Sequence, residues 1–336
     1  MGSSLFDYVQ YGGETTRGTA VAATKFWPGQ MPKIGTDTKV NRIKEMTATR
    51  VTTRRSVAFQ KLYRNSLGAK QATFQQLLFP LSCGLKGSVT ATETTPAQQD
   101  YKFVFTPSLT AANNPEAATI EMGDDVQCWE AEYAMFDKIS LAGTIDQDGG
   151  DAAVSVDAGF FSRQLTATTK TPAIALPSGE FMNAKLARLY LDTAWAGVGG
   201  TELANLLRGF QFEILTGLHP DSTGSANKTF NAHKEGEISA MMAFTIEAGS
   251  TANAILGYQQ NTTFMVARLE IIGSQIGTGV NHKLTVDIGG TIDPVSSIDS
   301  EDRGDNLATF TINTDYNTTG AKALQVELIT NTNAWK

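Results

Sequence analysis

The side chains that most often carry chemistry are few in this chain, and they do not converge. The three histidines are His219, His233 and His282. No two of them stand at the i, i+3 or i, i+4 spacing that puts ligands on one helix face, and neither Cys83 nor Cys128 neighbours a histidine, so a zinc motif is not formed. No serine lies in a Gly-x-Ser-x-Gly elbow. Gly197-Val198-Gly199-Gly200 lacks the Lys-Ser/Thr that contacts phosphates and reads as a mobile strand connection. Asp146-Gln147-Asp148-Gly149-Gly150-Asp151 groups carboxylates as a calcium loop does. It lacks the closing glutamate of an EF-hand, and its Asp-Gly reads as a hairpin turn. Asp299-Ser300-Glu301-Asp302, with Arg303-Gly304-Asp305, reads as a solvated loop. The 34 acidic residues offer no context that singles out a catalytic pair. The expectation is a protein that is not an enzyme and uses no cofactor or metal.

Composition sets the frame for this sparse chemistry. The chain has 336 residues, 41% hydrophobic and only 18% charged, where an ordinary globular domain is about 25% charged. Its length predicts about two domains. Its 31 glycines and abundant Thr, Ser and Asn favour short strands and turns over helical bundles. Apolar runs such as Met241-Met242-Ala243-Phe244 fall far short of the ~20 residues of a membrane span. The opening Met-Gly-Ser-Ser-Leu-Phe-Asp-Tyr has no basic-then-apolar leader, so no signal peptide is expected. Two cysteines make no disulfide framework; they read as reduced thiols of a product made, and soluble, in the cytoplasm.

The net charge of −7 hides an asymmetry. Residues 1–70 hold 12 basic and 4 acidic side chains, and the remainder holds 15 basic and 30 acidic. The basic residues cluster at Lys39, Arg42, Lys44, Arg50, Arg54, Arg55, Lys61 and Arg64. Aromatic residues for base stacking are sparse there, and the rest of the chain would repel phosphate. The stretch therefore reads as a basic arm that pairs with the acidic surface of another copy.

Strand periodicity dominates. In 209–216, Phe210, Phe212 and Ile214 alternate with Gln211 and Glu213, the period of a half-buried strand. In 237–247, Ile238, Ala240, Met242, Phe244 and Ile246 share one face. Further alternating stretches are 101–106, 185–193, 264–272, 283–288, 307–314 and 323–329. Helix signals are two: 69–79, ended by Pro80, and 251–258, with Ser250 as N-cap. Each follows a strand, carrying Val57-Ala58-Phe59 in one case and Met242-Ala243-Phe244 in the other.

That parallel predicts an internal duplication. Gly143-Thr144-Ile145-Asp146 and Gly290-Thr291-Ile292-Asp293 lie 147 residues apart, each after a Lys-led alternating strand. Phe59 to Gly143 is 84 residues and Phe244 to Gly290 is 46, so the first copy carries an insertion, placed at 81–118. The two words are expected at matching positions. The expected domains are 1–165, a first module with the basic arm and the insertion, and 183–336, a second module, joined by a linker at 166–182.

The order of segments resembles the tail tube (major tail) proteins of long, non-contractile-tailed bacteriophages. Gly13-Glu14-Thr15-Thr16-Arg17-Gly18-Thr19-Ala20-Val21-Ala22-Ala23 is similar to the Glu-x-Thr-x-Gly-Thr-Ala-x-Ala opening common in that family. Thr52-Thr53-Arg54-Arg55-Ser56-Val57-Ala58-Phe59, Ala187-Arg188-Leu189-Tyr190-Leu191-Asp192, Phe210-Gln211-Phe212-Glu213-Ile214 and Gly236-Glu237-Ile238 are similar too, as are the closing strands. The likeness is one of pattern over nearly the whole chain, and no catalytic residue is carried with it.

The resemblance implies a mainly β fold: two tandem tail-tube-like β-sandwich modules, each with a short flanking helix, whose inner sheets join those of neighbours into a ring barrel. Rings would hold three chains, or six as the alternative, and would stack into a tube. The tube would conduct DNA without binding it specifically, along a tape-measure protein and with tail-end proteins as further partners. Such a protein is assembled in the host cytoplasm and ends in the virion tail, with no membrane contact. Residues 81–118 and 33–64 would be arms reaching the next ring, with Lys39, Arg42, Lys44, Arg50, Arg54 and Arg55 as contact residues. The lumen is expected to carry acidic and neutral polar groups more than Lys or Arg. Alternatives are another phage structural protein, of baseplate or decoration type, or a β-sandwich adhesin or carbohydrate-binding protein.

Overall fold

Alternation of apolar and polar residues becomes strand pairing almost throughout. A computed structural model describes residues 6–35, 37–46, 48–145, 152–224, 226–293, 300–302 and 305–336. The expected turn Asp146–Asp151 lies outside them, as does most of the loop at 294–304. The first half contains β1 (Tyr8–Gly13), β2 (Lys25–Phe26), β3 (Asp37–Lys44), β4 (Thr53–Ala69), β5 (Thr92–Glu93), β6 (Tyr101–Phe105), β7 (Ala118–Gly123), β8 (Cys128–Thr144), β9 (Val154–Ser162) and β10 (Leu165–Thr168). The second contains β11 (Ala187–Asp192), β12 (Leu207–Leu215), β13 (Leu218–Asp221), β14 (Ala232–Glu235), β15 (Ser239–Glu247), β16 (Met265–Gly277), β17 (Val280–Ile292), β18 (Ser300–Asp302), β19 (Asp305–Thr314) and β20 (Leu324–Thr330).

The pairing order recurs. In the first half β4 pairs with β9, β9 with β8, β8 with β7 and β10, and β7 with β1. In the second half β15 pairs with β19, β19 with β17, β17 with β16 and β20, and β16 with β11. Even the small bridges agree: Gln10 pairs with Phe26, and Tyr190 with Glu202.

The words that suggested duplication are nevertheless not equivalent. Gly290 pairs with Met265 at the start of β16, the place that Ala134 takes opposite Ala118 at the start of β7. Gly143 pairs with Val154 on β9 and lies well beyond that point along β8. The hairpin of β8 and β9 is longer than that of β17 and β19, so equal words fall at unequal positions.

Two halves are joined edge to edge. β12 pairs with β15 of its own half on one side and with β8 of the first half on the other. Strands β4, β9, β8, β12, β15 and β19 thereby form one continuous antiparallel sheet. β8 serves two layers: its first residues lie between β7 and β10, and a register shift between Phe136 and Lys138 precedes the part that lies between β9 and β12. Such a bulge turns a strand from one sheet to another. The core lies between this sheet and the outer strands, in a sandwich-like arrangement. Phe210, Phe212, Phe244, Phe310 and Phe160 are buried on the inner face, each worth about 1.5–3 kcal/mol on burial.

The insertion does not project as an arm. Leu81–Leu85 is helical and β6 pairs with β20, so residues of the first half extend an outer sheet of the second. Pro80 does not end the helical run either. Gln75–Leu77 is a 3-10 turn, Leu78–Pro80 is α-helical and Leu81–Leu85 is π-helical. The ladder changes pitch around Pro80, and in the wider turn that follows Lys86 N donates to Leu81 O at 3.1 Å. In the second half the helix is Ser250–Gln260, with Gly249 rather than Ser250 at the cap position. The expected linker begins as strand β10 and is tied down thereafter, Phe74 N donating to Glu180 O at 3.0 Å.

Candidate functional site

The histidines and cysteines are spread apart: His282, Cys83 and Cys128 are buried, His233 is half-buried and His219 is exposed. His282 is buried, its Nδ1 lies 3.1 Å from Ser274 O, and its Nε2 lies 3.2 Å from Gln75 Nε2. His233 Nδ1 lies 3.2 Å from Tyr133 Oη, and burial holds its pKa below the ordinary histidine value. His219 Nδ1 contacts the Gly217 carbonyl at 3.2 Å. Cys83 and Cys128 are buried and unpaired, and burial pushes both thiols up. Among the described residues, no three His, Cys, Asp or Glu gather as metal ligands would, and no helix is long and apolar enough to cross a membrane. In the glycine loop, Gly199 N and Gly200 N donate to Asp192 Oδ2 at 2.9 and 3.2 Å, so those amides are already engaged.

Glu14 and Glu121 are two of several buried carboxylates whose burial the sequence does not signal. Glu14 accepts from Gly18 N at 2.6 Å, Tyr133 N at 2.7 Å and Thr119 Oγ1 at 2.9 Å. Glu121 accepts from Thr171 N at 3.0 Å, Thr171 Oγ1 at 2.7 Å and Ala23 N at 3.2 Å. The two acids satisfy strand and loop donors that burial would otherwise orphan. Glu121 fastens the segment between the halves to the first half. Nothing in their spacing marks them, since burial comes from strands far apart in the chain.

The surfaces that stand out are sheet edges and one projecting hairpin. β3 and β4 pair from Asp37–Leu62 to Lys44–Thr53, beyond the part of β4 that joins β9. Lys39, Arg42 and Lys44 lie on β3, Arg50 at the tip, and Arg54 and Arg55 on β4. Lys39, Arg42, Lys44, Arg50 and Arg55 are exposed, and Arg55 pairs with Glu45 of the same hairpin; the side chain of Arg54 lies outside the described residues. Val40, Val57 and Phe59 are exposed beside them, Phe59 at 58%. The sheet that runs from β4 to β19, continued by the short strand β18, has an open face with polar groups, among them Ser66, Ser140, Ser155, Gln211, Thr245 and Thr309. Lys138 pairs with Glu213 at 2.7 Å and Arg64 with Asp137 at 3.5 Å.

No protein-family model and no curated protein matches this chain.

Proposed function

We propose that this chain is a structural protein that builds the tail tube of a long-tailed bacteriophage, with copies closing into rings and rings stacking around a conduit for DNA. The observation that carries this reading is the edge-to-edge junction of β8 with β12. It joins two halves of recurring pairing order into one sheet, and the same join repeated between chains extends that sheet around a ring and removes its exposed edges. Three chains supply six halves. The open face of the sheet suits a lumen, because Lys138 and Arg64 each face a carboxylate and leave few free cations to hold phosphates. A tape-measure protein, tail-end proteins and residence in the virion tail belong to the same proposal and rest on the resemblance in segment order.

Negative-stain microscopy of the purified chain tests it. Rings of constant diameter, alone or stacked into tubes, are expected. A chain that stays monomeric over a wide range of concentration and salt overturns the proposal.

A further inference from the structure

Equivalent pairings assign a counterpart to the basic hairpin. In the second half, the chain between β12 and β15 forms the hairpin of β13 and β14; in the first half, the chain entering β4 forms the hairpin of β3 and β4. The alignment is direct: Arg64 pairs with Phe161 as Met241 pairs with Asn313, so Leu62 corresponds to Ser239. The hairpin of β13 and β14 has a seat within the chain. Leu218 and Phe230 pack with Leu62, Tyr133, Met135 and Phe161 of the first half. Arg163 Nε donates to Phe230 O at 3.0 Å, and Lys61 N to Lys228 O at 2.9 Å. The corresponding hairpin of β3 and β4 touches the chain between β13 and β14 at its base, through Lys61 N and Lys228 O, and its outer part has no such apolar seat among the described residues. Val40 and Phe59 stay exposed on a two-stranded ribbon, a form that is at best marginally stable in water by itself.

The same alignment locates the empty seat. Met135 corresponds to Thr291, Phe161 to Asn313 and Arg163 to Asp315. Where the first half offers apolar groups, the second offers a polar, acidic cluster. Asn313 Nδ2 donates to Asp293 Oδ2 at 2.5 Å, Thr291 Oγ1 donates to Asp315 Oδ2 at 2.7 Å, and both aspartates are exposed. The hairpin left over is correspondingly basic, with Lys39, Arg42 and Lys44 exposed on β3.

We infer that the hairpin of β3 and β4 of one copy docks on the Thr291, Asp293, Asn313 and Asp315 surface of a second copy, repeating between chains the seat that β13 and β14 take within one. The contact is heterologous, and such a contact propagates into a ring or a filament. Opposite charge on the two surfaces makes the join directional, because the apolar seat of the first half is already filled. This deepens the tube reading by naming its lateral contact, and it places the basic segment beside a neighbour of the same ring rather than in the next ring.

Sedimentation velocity of the full chain tests it, with circular dichroism to confirm folding of each variant. Arg42→Glu with Arg55→Glu, and Asp293→Lys with Asp315→Lys, are each expected to shift the chain to monomer, at least tenfold weaker in association. An equimolar mixture of the two variants is expected to regain complexes, because each variant's hairpin is complementary in charge to the other's seat, and combining all four changes in one chain to regain full assembly. Unchanged assembly in both double variants, or no recovery on combination, overturns the inference while leaving the tube reading standing. Charge-dependent association into small complexes that neither close into rings nor extend into tubes keeps the inference and overturns the tube reading. A wild-type chain that never associates overturns both.

Discussion

Gly143 of β8 and Phe210 of β12 face each other across the junction of the halves, and the ring lies over the glycine. A Cβ on Gly143 would meet Phe210 Cζ at 2.6 Å and Cε1 at 2.8 Å. The absent side chain is what lets the two strands pair with an aromatic ring between them and the core. Gly143→Val is expected to destabilise the chain by about 1–3 kcal/mol through overpacking. Phe210→Ala should cost about 3–5 kcal/mol through the void it leaves. Because both changes act on one space, the double variant should cost less than the sum, as read by urea unfolding. Strict additivity would show that the ring does not limit the glycine.

Trp335 closes the core from the other end of the chain. It stacks on Phe79 with centroids 5.5 Å apart, and Phe79 stacks on Tyr11 at 3.9 Å. A residue following β20 thus packs against the first strand and the helical run of the first half. Trp335→Ala is expected to cost about 3–5 kcal/mol and to lower the thermal midpoint. A midpoint that does not move would place the tryptophan outside the cooperative core.

Glu14 gives the stability a pH dependence of known sign. Burial raises its pKa above the ordinary 4.5, outweighing the hydrogen bonds that favour the anion. Below 4.5 the carboxyl is protonated folded and unfolded, and its contribution is full. As pH rises through the folded value the unfolded chain ionises more readily, and that contribution is lost. Glu14→Gln cannot ionise, so its stability relative to wild type should improve as pH rises from the ordinary carboxylate value of 4.5 through the raised folded value, in paired urea titrations. A difference that stays flat would remove burial of the charge as the cause.

Neither thiol should react in the folded chain. Cys83 and Cys128 are buried with raised pKa values, and the thiolate is the reactive form. A thiol-specific chromophore at neutral pH is expected to label neither residue within minutes, and both at once in denaturant. Rapid labelling of one cysteine in the native chain would reveal local opening at that strand or helix.

Much of this architecture is legible in the chain. Strict alternation in Phe210-Gln211-Phe212-Glu213-Ile214 and in Ala240 to Ile246 dictates strands with one buried face, and β12 and β15 form there. The histidines are dispersed in space as they are in the chain, each with a hydrogen-bonding neighbour of its own. The basic cluster becomes an exposed hairpin because alternating charged residues cannot be buried on either face. By contrast, nothing local marks Glu14, the glutamate of the Glu-x-Thr-x-Gly-Thr-Ala-x-Ala stretch, or Glu121 as buried, since their burial is made by β7, β8 and the segment at 171.

Strand content, the repeated order of elements and the separation of basic from acidic residues follow from local periodicity and side-chain type, and so are written in the chain. Which strands are equivalent, that β6 crosses to β20, and that β12 joins β8 emerge only on packing. Antiparallel register is set by bulges such as the one between Phe136 and Lys138 and by hairpin lengths. A four-residue word holds neither, so the two Gly-Thr-Ile words came to rest at different rungs of matching ladders.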